Sequence, residues 1–156
     1  MKEEDYAVTF GGYEWLILKK YDDHALVVMA DVMQEERPYH KNGGAITWAD
    51  CTLRQWLNGE FYQSFTPEER ERILDTNHEN LDNVYYGTDG GVDTTDKIFL
   101  LSAEEAEKYM TRSERTAKSW WWLRSPGDYQ YDAAGVNSDG DLYASGGGVY
   151  SVRGGQ

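Results

Sequence analysis

A single cysteine, Cys51, occurs among the 156 residues. One thiol excludes an internal disulfide and any cysteine-rich zinc site. Basic side chains are scarce too: 15 Lys and Arg stand against 28 Asp and Glu, a formal net charge of −13. A field of that sign repels polyanions and argues against a nucleic-acid partner held through its phosphates. No apolar run approaches the ~20 residues of a membrane-spanning helix, so direct membrane insertion is not expected. The opening MKEEDYAVTF has neither a basic stretch nor an apolar one, so no signal peptide is expected in this chain. The three histidines, at 24, 40 and 78, lie apart and form no HExxH pair. GxSxG, the P-loop and a GxGxxG between strand and helix are likewise missing. Gly146-Gly147-Gly148 lacks the following helix and the lysine of a phosphate cradle.

What is present is a folding chain. Apolar residues make up 40% and aromatic residues 14%, a level that a disordered chain does not reach. The length fits one domain, residues 1–156, which buries roughly two-thirds of its unfolded surface.

The first third reads as a β-hairpin. Tyr13–Leu18 and His24–Met29 are short apolar runs around the turn residues Tyr21-Asp22-Asp23. Their continuity predicts strands covered on both faces. Residues 31–46 read as irregular, broken by Pro38 and Gly43-Gly44. Leu53, Trp56 and Leu57 form the stripe of a helix starting near Asp50 and ending at Gly59. Thr66-Pro67-Glu68-Glu69 predicts a capping box and a helix to about Leu74.

Residues 75–96, rich in Asn, Asp, Gly and Thr, read as a long loop. Lys97–Leu101 is expected to be a short buried strand, and Ser102 with Glu105 to open a third helix reaching about Met110. Residues 111–119 read as a charged connector. An aromatic strand from Trp120 ends at Pro126-Gly127, followed by strand-like pieces near 133–137, 141–145 and 148–153. Asp139-Gly140 and Gly146-Gly147 mark turns of an antiparallel meander. On this strand Trp121 and Leu123 are expected to face the core, with more exposed neighbours between them. The class is α+β: antiparallel strands, two to three helices and a β-rich C-terminal half.

Candidates for chemistry are few. The histidines read as turn and loop surface residues, and Cys51 as a small buried hydrophobe without a base to activate it. Asn137-Ser138-Asp139-Gly140-Asp141 has the look of a calcium-loop fragment, but a hairpin turn accounts for it without the missing bidentate Glu. Asp89, Asp93 and Asp96 read either as a cation site or as a solvated acidic loop. No catalytic residue, metal ligand or cofactor is nominated, and enzymatic activity is not expected.

Residues 125–151 carry more information. Nineteen of the 27 are Tyr, Ser, Gly, Asp or Asn, including Tyr129, Tyr131, Tyr143 and Tyr150. Antibody recognition loops use this vocabulary, in which Tyr supplies rigid contact area and the small polar residues supply adaptable hydrogen bonds. The segment is therefore either a solvent-facing meander or a ligand-contacting face.

Several pieces resemble a group of bacterial and phage domains. They are Thr47-Trp48, Leu53–Asn58, Phe61-Tyr62, Asp96–Ser102, Trp121-Trp122-Leu123-Arg124-Ser125-Pro126-Gly127 and the closing Val152-Arg153. Their spacing, from Trp15 to Arg153, resembles the C-type-lectin-like family that includes the variable proteins of diversity-generating retroelements. The resemblance implies a C-type-lectin-like fold in which residues 120–153 hold a variable ligand-binding region, rewritten in such proteins by adenine-directed mutagenesis. It implies that Val136, Leu142, Val149 and Val152 hold the fold. It also implies that Asp128, Tyr129, Tyr131, Asp132, Asn137, Asp139, Asp141, Tyr143, Ser145 and Tyr150 are the contact candidates. By the resemblance the partner would be a protein or cell-surface ligand and the setting a cell surface or phage particle; without it the expected setting is the cytoplasm.

The ending Ser151-Val152-Arg153-Gly154-Gly155-Gln156 departs from the Gly-Val-Arg-Pro-Ala type that usually closes the family. The lectin EPN and WND motifs and the paired cysteines of the formylglycine-generating branch are absent, so neither activity carries over. The resulting expectation is a non-enzymatic binding module, with a non-diversified bacterial surface or structural domain of the same fold as the first alternative and an enzyme with an unrecognised site as the second. Arg124 and Arg153 are expected to be structural. Tyr129, Tyr131, Asn137, Tyr143 and Tyr150 are expected on one contiguous exposed surface.

Overall fold

The computed structural model describes residues 6–33 and 36–151. Strands β1 (Ala7–Phe10), β2 (Tyr13–Lys20) and β3 (Ala25–Met29) form an antiparallel sheet in that order. The hairpin is present, and β1 is a strand that the sequence pattern did not announce. Alternate residues reach two different cores: Trp15 and Met29 touch one, Leu16, Leu18 and Val28 the other. None of these five is fully buried, so the apolar runs are half-covered on both faces.

A single 3-10 turn (Trp48–Asp50) leads into helix α1 (Thr52–Trp56), which continues as a π-turn over Leu57–Phe61. Gly59 does not end this helix. It keeps a negative φ, and the widened turn carries Leu57 and Phe61 into the core beside Leu53. Helix α2 (Pro67–Arg72) has the expected box, with Thr66 Oγ1 accepting from Glu69 N at 3.2 Å and Glu69 Oε1 accepting from Thr66 N at 2.8 Å.

The segment 75–96 is not wholly a loop. Strands β4 (Thr76–His78) and β5 (Thr94–Asp96) pair across its base. Lys97–Leu101, conversely, is not a strand. Its backbone groups find other partners: Asn58 Oδ1 accepts from Lys97 N and Ile98 N, and Asn58 Nδ2 donates to the Ile98 carbonyl at 2.8 Å. Arg124 takes the Leu100 carbonyl through Nη1 and the Leu101 carbonyl through its backbone N–H. Helix α3 (Ala103–Tyr109) starts at the Ser102–Glu105 box, and α4 (Arg112–Arg115) at a third box, Thr111–Glu114, within the supposed connector. Four helices thus occur among the described residues.

The C-terminal sheet is the expected meander, β6 (Trp121–Pro126), β7 (Asp132–Val136) and β8 (Leu142–Gly148). The expected alternation on β6 is overturned: all six residues are buried. Trp122 joins Tyr39, Trp48, Leu53 and Phe61 on one face, while Trp121 and Leu123 join Leu101, Ala106, Met110 and Val136 on the other. A strand between two cores has no solvent face, so period-two patterning disappears. Gly146-Gly147 is no turn either. Gly146 lies inside β8 at φ +74, beside the register shift between Ala133 and Gly135, where an added Cβ would stand 2.0 Å from the Ala133 carbonyl oxygen. No separate strand follows among the described residues, and Val152 and Arg153 lie outside them. Val136 and Val149 are buried and Leu142 is half-buried.

Candidate binding surface

The two turns of the meander lie at opposite ends of the sheet. Residues 127–131 join β6 to β7, and residues 137–141 join β7 to β8. Five residues of β7 separate them, roughly 17 Å at strand rise. The ten contact candidates therefore divide.

At the near end, Tyr129 and Tyr131 stack with ring centroids 5.3 Å apart and planes 6° from parallel. Both rings are half-exposed or more. The turn beneath them is tied down by backbone bonds: Gly127 N donates to the Asp132 carbonyl, Asp128 N to that of Ser145, Asp132 N to that of Tyr129, and Val149 N to that of Tyr131. Gln130 reaches sideways to the carbonyls of Ile46 and Asp89. The rings thus stand on a fixed backbone, which limits the entropy lost when they are covered. Gly127 is required by close approach, since a Cβ there would meet the Ser145 carbonyl oxygen at 2.5 Å. Tyr150, 70% exposed, lies over Gly148 and against Gly43 at this end. The Asp132 pKa is pushed up to about 6, by partial burial first and then by the neighbouring Asp128 carboxyl.

At the far end, Asn137 is exposed, while Asp139 and Asp141 are both engaged by Arg112. The Arg112 Nε group also donates to the Asp139 carbonyl, and Arg115 Nε to that of Gly140 at 2.9 Å. This turn is a docking point for α4. Tyr143 stands nearby opposite Gly135, and with Trp120, Val136, Asn137 and Gly147 it lines a shallow apolar recess of about 60 Å³. The tyrosines are all solvent-accessible, as expected, but they divide: Tyr143 lies with Asn137 at the far end, and Tyr129, Tyr131 and Tyr150 at the near end.

Sequence reasoning passed over the neighbour of the near end. The loop between β4 and β5 is fastened to the β6–β7 turn by Asn83, whose Nδ2 donates to the carbonyls of Pro126 and Ala144, each at 2.9 Å, with that of Gly127 within reach at 3.2 Å. Thr88 Oγ1 donates to the Gly127 carbonyl at 2.6 Å, with the Asp128 carbonyl also within its reach at 3.1 Å. Above this anchor Val84, Tyr85 and Tyr86 are exposed by 76%, 75% and 54%. An apolar triplet inside a run of Asn, Asp and Gly was the available signal.

The remaining candidates are structural. Asp96 is buried, accepting from Trp48 Nε1 at 3.0 Å, Arg54 Nε at 2.6 Å and Thr94 Oγ1 at 3.0 Å. It is thereby separated from Asp89 and Asp93, which accept from the backbone N–H groups of Gly91 and Asn80. Among the described residues no three His, Cys, Asp or Glu side chains gather as a metal site. Cys51 is fully buried at the start of α1, and burial pushes its thiol up to about 12, away from the nucleophilic thiolate. His78, expected at the surface, is buried 4.1 Å from the Phe99 ring centre. Arg124 is the predicted structural arginine, bonded to Asn80, Leu100 and Glu105, with its own carbonyl taken by Tyr39.

The architecture defines an α+β domain of three small antiparallel sheets, with a β-rich C-terminal end that holds the surface. Residues 14–154 match a family described as a domain of unknown function, DUF6273, and the chain belongs to that family. No curated protein and no solved structure matches it.

Proposed function

We propose that this domain is a non-enzymatic binding module with a C-type-lectin-like scaffold, presenting its near-end surface to a macromolecular partner. The observation that carries the reading is the Tyr129–Tyr131 stack, exposed on a turn whose backbone is bonded on every side. Rigid aromatic anchors ringed by small polar residues are the economical way to bind a protein surface. Asp128, Asp132, Ser145 and Tyr150 complete that ring. Val136, Val149, Trp122 and Leu123 belong to the cores instead, so contact identity is separable from stability.

The resemblance to variable proteins of diversity-generating retroelements supports the further reading that these positions accept diversification. Asn137, Asp139, Asp141 and Tyr143 would form a second, smaller contact area at the far end. The test is a library with Tyr, Ser, Asp and Asn at positions 128, 129, 131, 132, 145 and 150, displayed and selected against several unrelated proteins. Most members are expected to fold, with different members capturing different targets. A library that is mostly unfolded, or folded members that never yield a binder, would overturn the reading. A near-identical template repeat and a reverse transcriptase beside the gene would support the diversified form.

A further inference from the structure

The near-end surface and the loop that flanks it are one-sided in charge. Residues 79–93 and 127–132 contain six acidic side chains and no Lys, Arg or His. Among the described residues no cation pairs with Asp82, Asp89, Asp93, Asp128 or Asp132, whereas Asp139 and Asp141 at the far end are held by Arg112. Arg54 and Arg124 are engaged inside the fold by Asp96 and Glu105.

The apolar component is equally one-sided. Val84, Tyr85 and Tyr86 stand exposed on a loop whose base is bolted through Asn83 and Thr88 to the turn carrying Tyr129 and Tyr131. Among the described residues, the recesses found, of about 10 and 60 Å³, fall short of the several hundred Å³ needed to bury a small molecule. The recess beside this loop, lined by Asn80, Leu81, Arg124 and Pro126, holds about 10 Å³. A surface of exposed rings without a pocket fits another macromolecule.

Resting on the binding-module reading, we propose that this composite face, loop 81–92 together with turn 127–132, docks a protein segment that presents Arg or Lys among apolar side chains. Charge complementarity selects that occupant. A cation on the partner meets uncompensated carboxylates, and its alkyl or guanidinium surface can lie on the tyrosine faces. Anionic partners, nucleic acid included, meet repulsion at the same place.

The experiment is panning of random peptides displayed on phage against the full chain, followed by affinity measurement of the enriched peptides. Four double variants are compared: Tyr129→Ser with Tyr131→Ser, Tyr85→Ser with Tyr86→Ser, Asp128→Asn with Asp132→Asn, and a control on the exposed side of helix α2, Glu68→Gln with Glu71→Gln. Each is checked first for an unchanged thermal transition. Enriched peptides are expected to be rich in Arg or Lys beside aliphatic or aromatic residues. Their affinity should weaken at high salt and fall about tenfold or more in the first three variants, but not in the control. Peptides that need the tyrosines yet show no basic enrichment would overturn the cationic partner and leave the binding module standing. No enriched peptide that depends on either tyrosine pair would overturn both.

Discussion

The side-chain amide of Asn83 donates to the main-chain carbonyl of Pro126 at 2.9 Å, across 43 positions of sequence. The same nitrogen lies within reach of the Gly127 and Ala144 carbonyls, and Asn83 Oδ1 accepts from the N–H groups of Tyr85 and Tyr86. One buried side chain thus joins the aromatic loop to the aromatic turn.

Asn83→Ala removes this joint and leaves buried carbonyls unsatisfied. The expected cost is on the order of 2–4 kcal/mol, since each orphaned buried group costs roughly 1–3 kcal/mol. Limited proteolysis of the native protein should then cut within residues 81–92 faster than in the parent. Equal cutting rates and equal unfolding midpoints would show that the loop is held by other means.

Arg124 is the joint of a second network, between Asn80, the Leu100 carbonyl and Glu105. Burial raises the Glu105 pKa, but the Arg124 charge and hydrogen bond outweigh it and hold the carboxyl below its ordinary value. Arg124→Met strands that carboxylate and should cost about 3–5 kcal/mol in denaturant unfolding. Arg124→Lys keeps the charge without the planar fork and should recover part of the loss. Wild-type stability in both variants would contradict the structural role.

Acid should weaken the fold through His78. Burial foremost, then the charge of Arg124 and, less, Arg54, lowers its pKa from 6.5 to about 4, against the opposing pull of Glu105 and Asp96. Between those values the unfolded chain binds a proton that the folded chain does not. Stability from this residue is therefore full above pH 6.5 and is lost as pH falls toward about 4. His78→Gln should flatten the change in unfolding midpoint across that interval. An equally steep dependence in the variant would assign the effect to other groups.

Local chemistry explains which parts of this molecule could be read from sequence. The boxes at Thr66 and Ser102 are complete within four residues, so those helices were readable, and Thr111–Glu114 carried the same signature unrecognised. Leu53 and Leu57 gave away the helix that buries them, but Gly59 could not signal that Phe61 would pull the helix onward. β6 was visible as a strand, whereas its place between two cores depends on α3, Tyr39 and Trp48, all distant in sequence. For the surface, tyrosine exposure followed from composition. The division into two ends did not, because it depends on how the meander's turns alternate, and the loop's contribution depends on Asn83 finding carbonyls far along the chain.

The central claim, that the surface tyrosines serve contact and leave folding to the cores, is tested most directly by thermal unfolding of one variant: Tyr129→Ser, Tyr131→Ser, Tyr143→Ser and Tyr150→Ser combined. Surface changes cost roughly 0.5 kcal/mol each at most, and a domain of this size loses roughly 2–4 °C per kcal/mol. The predicted result is a cooperative transition within about 8 °C of the parent, while Trp122→Ala, at about 3–5 kcal/mol, falls further. A quadruple variant that melts as low as Trp122→Ala, or without cooperativity, would contradict the account.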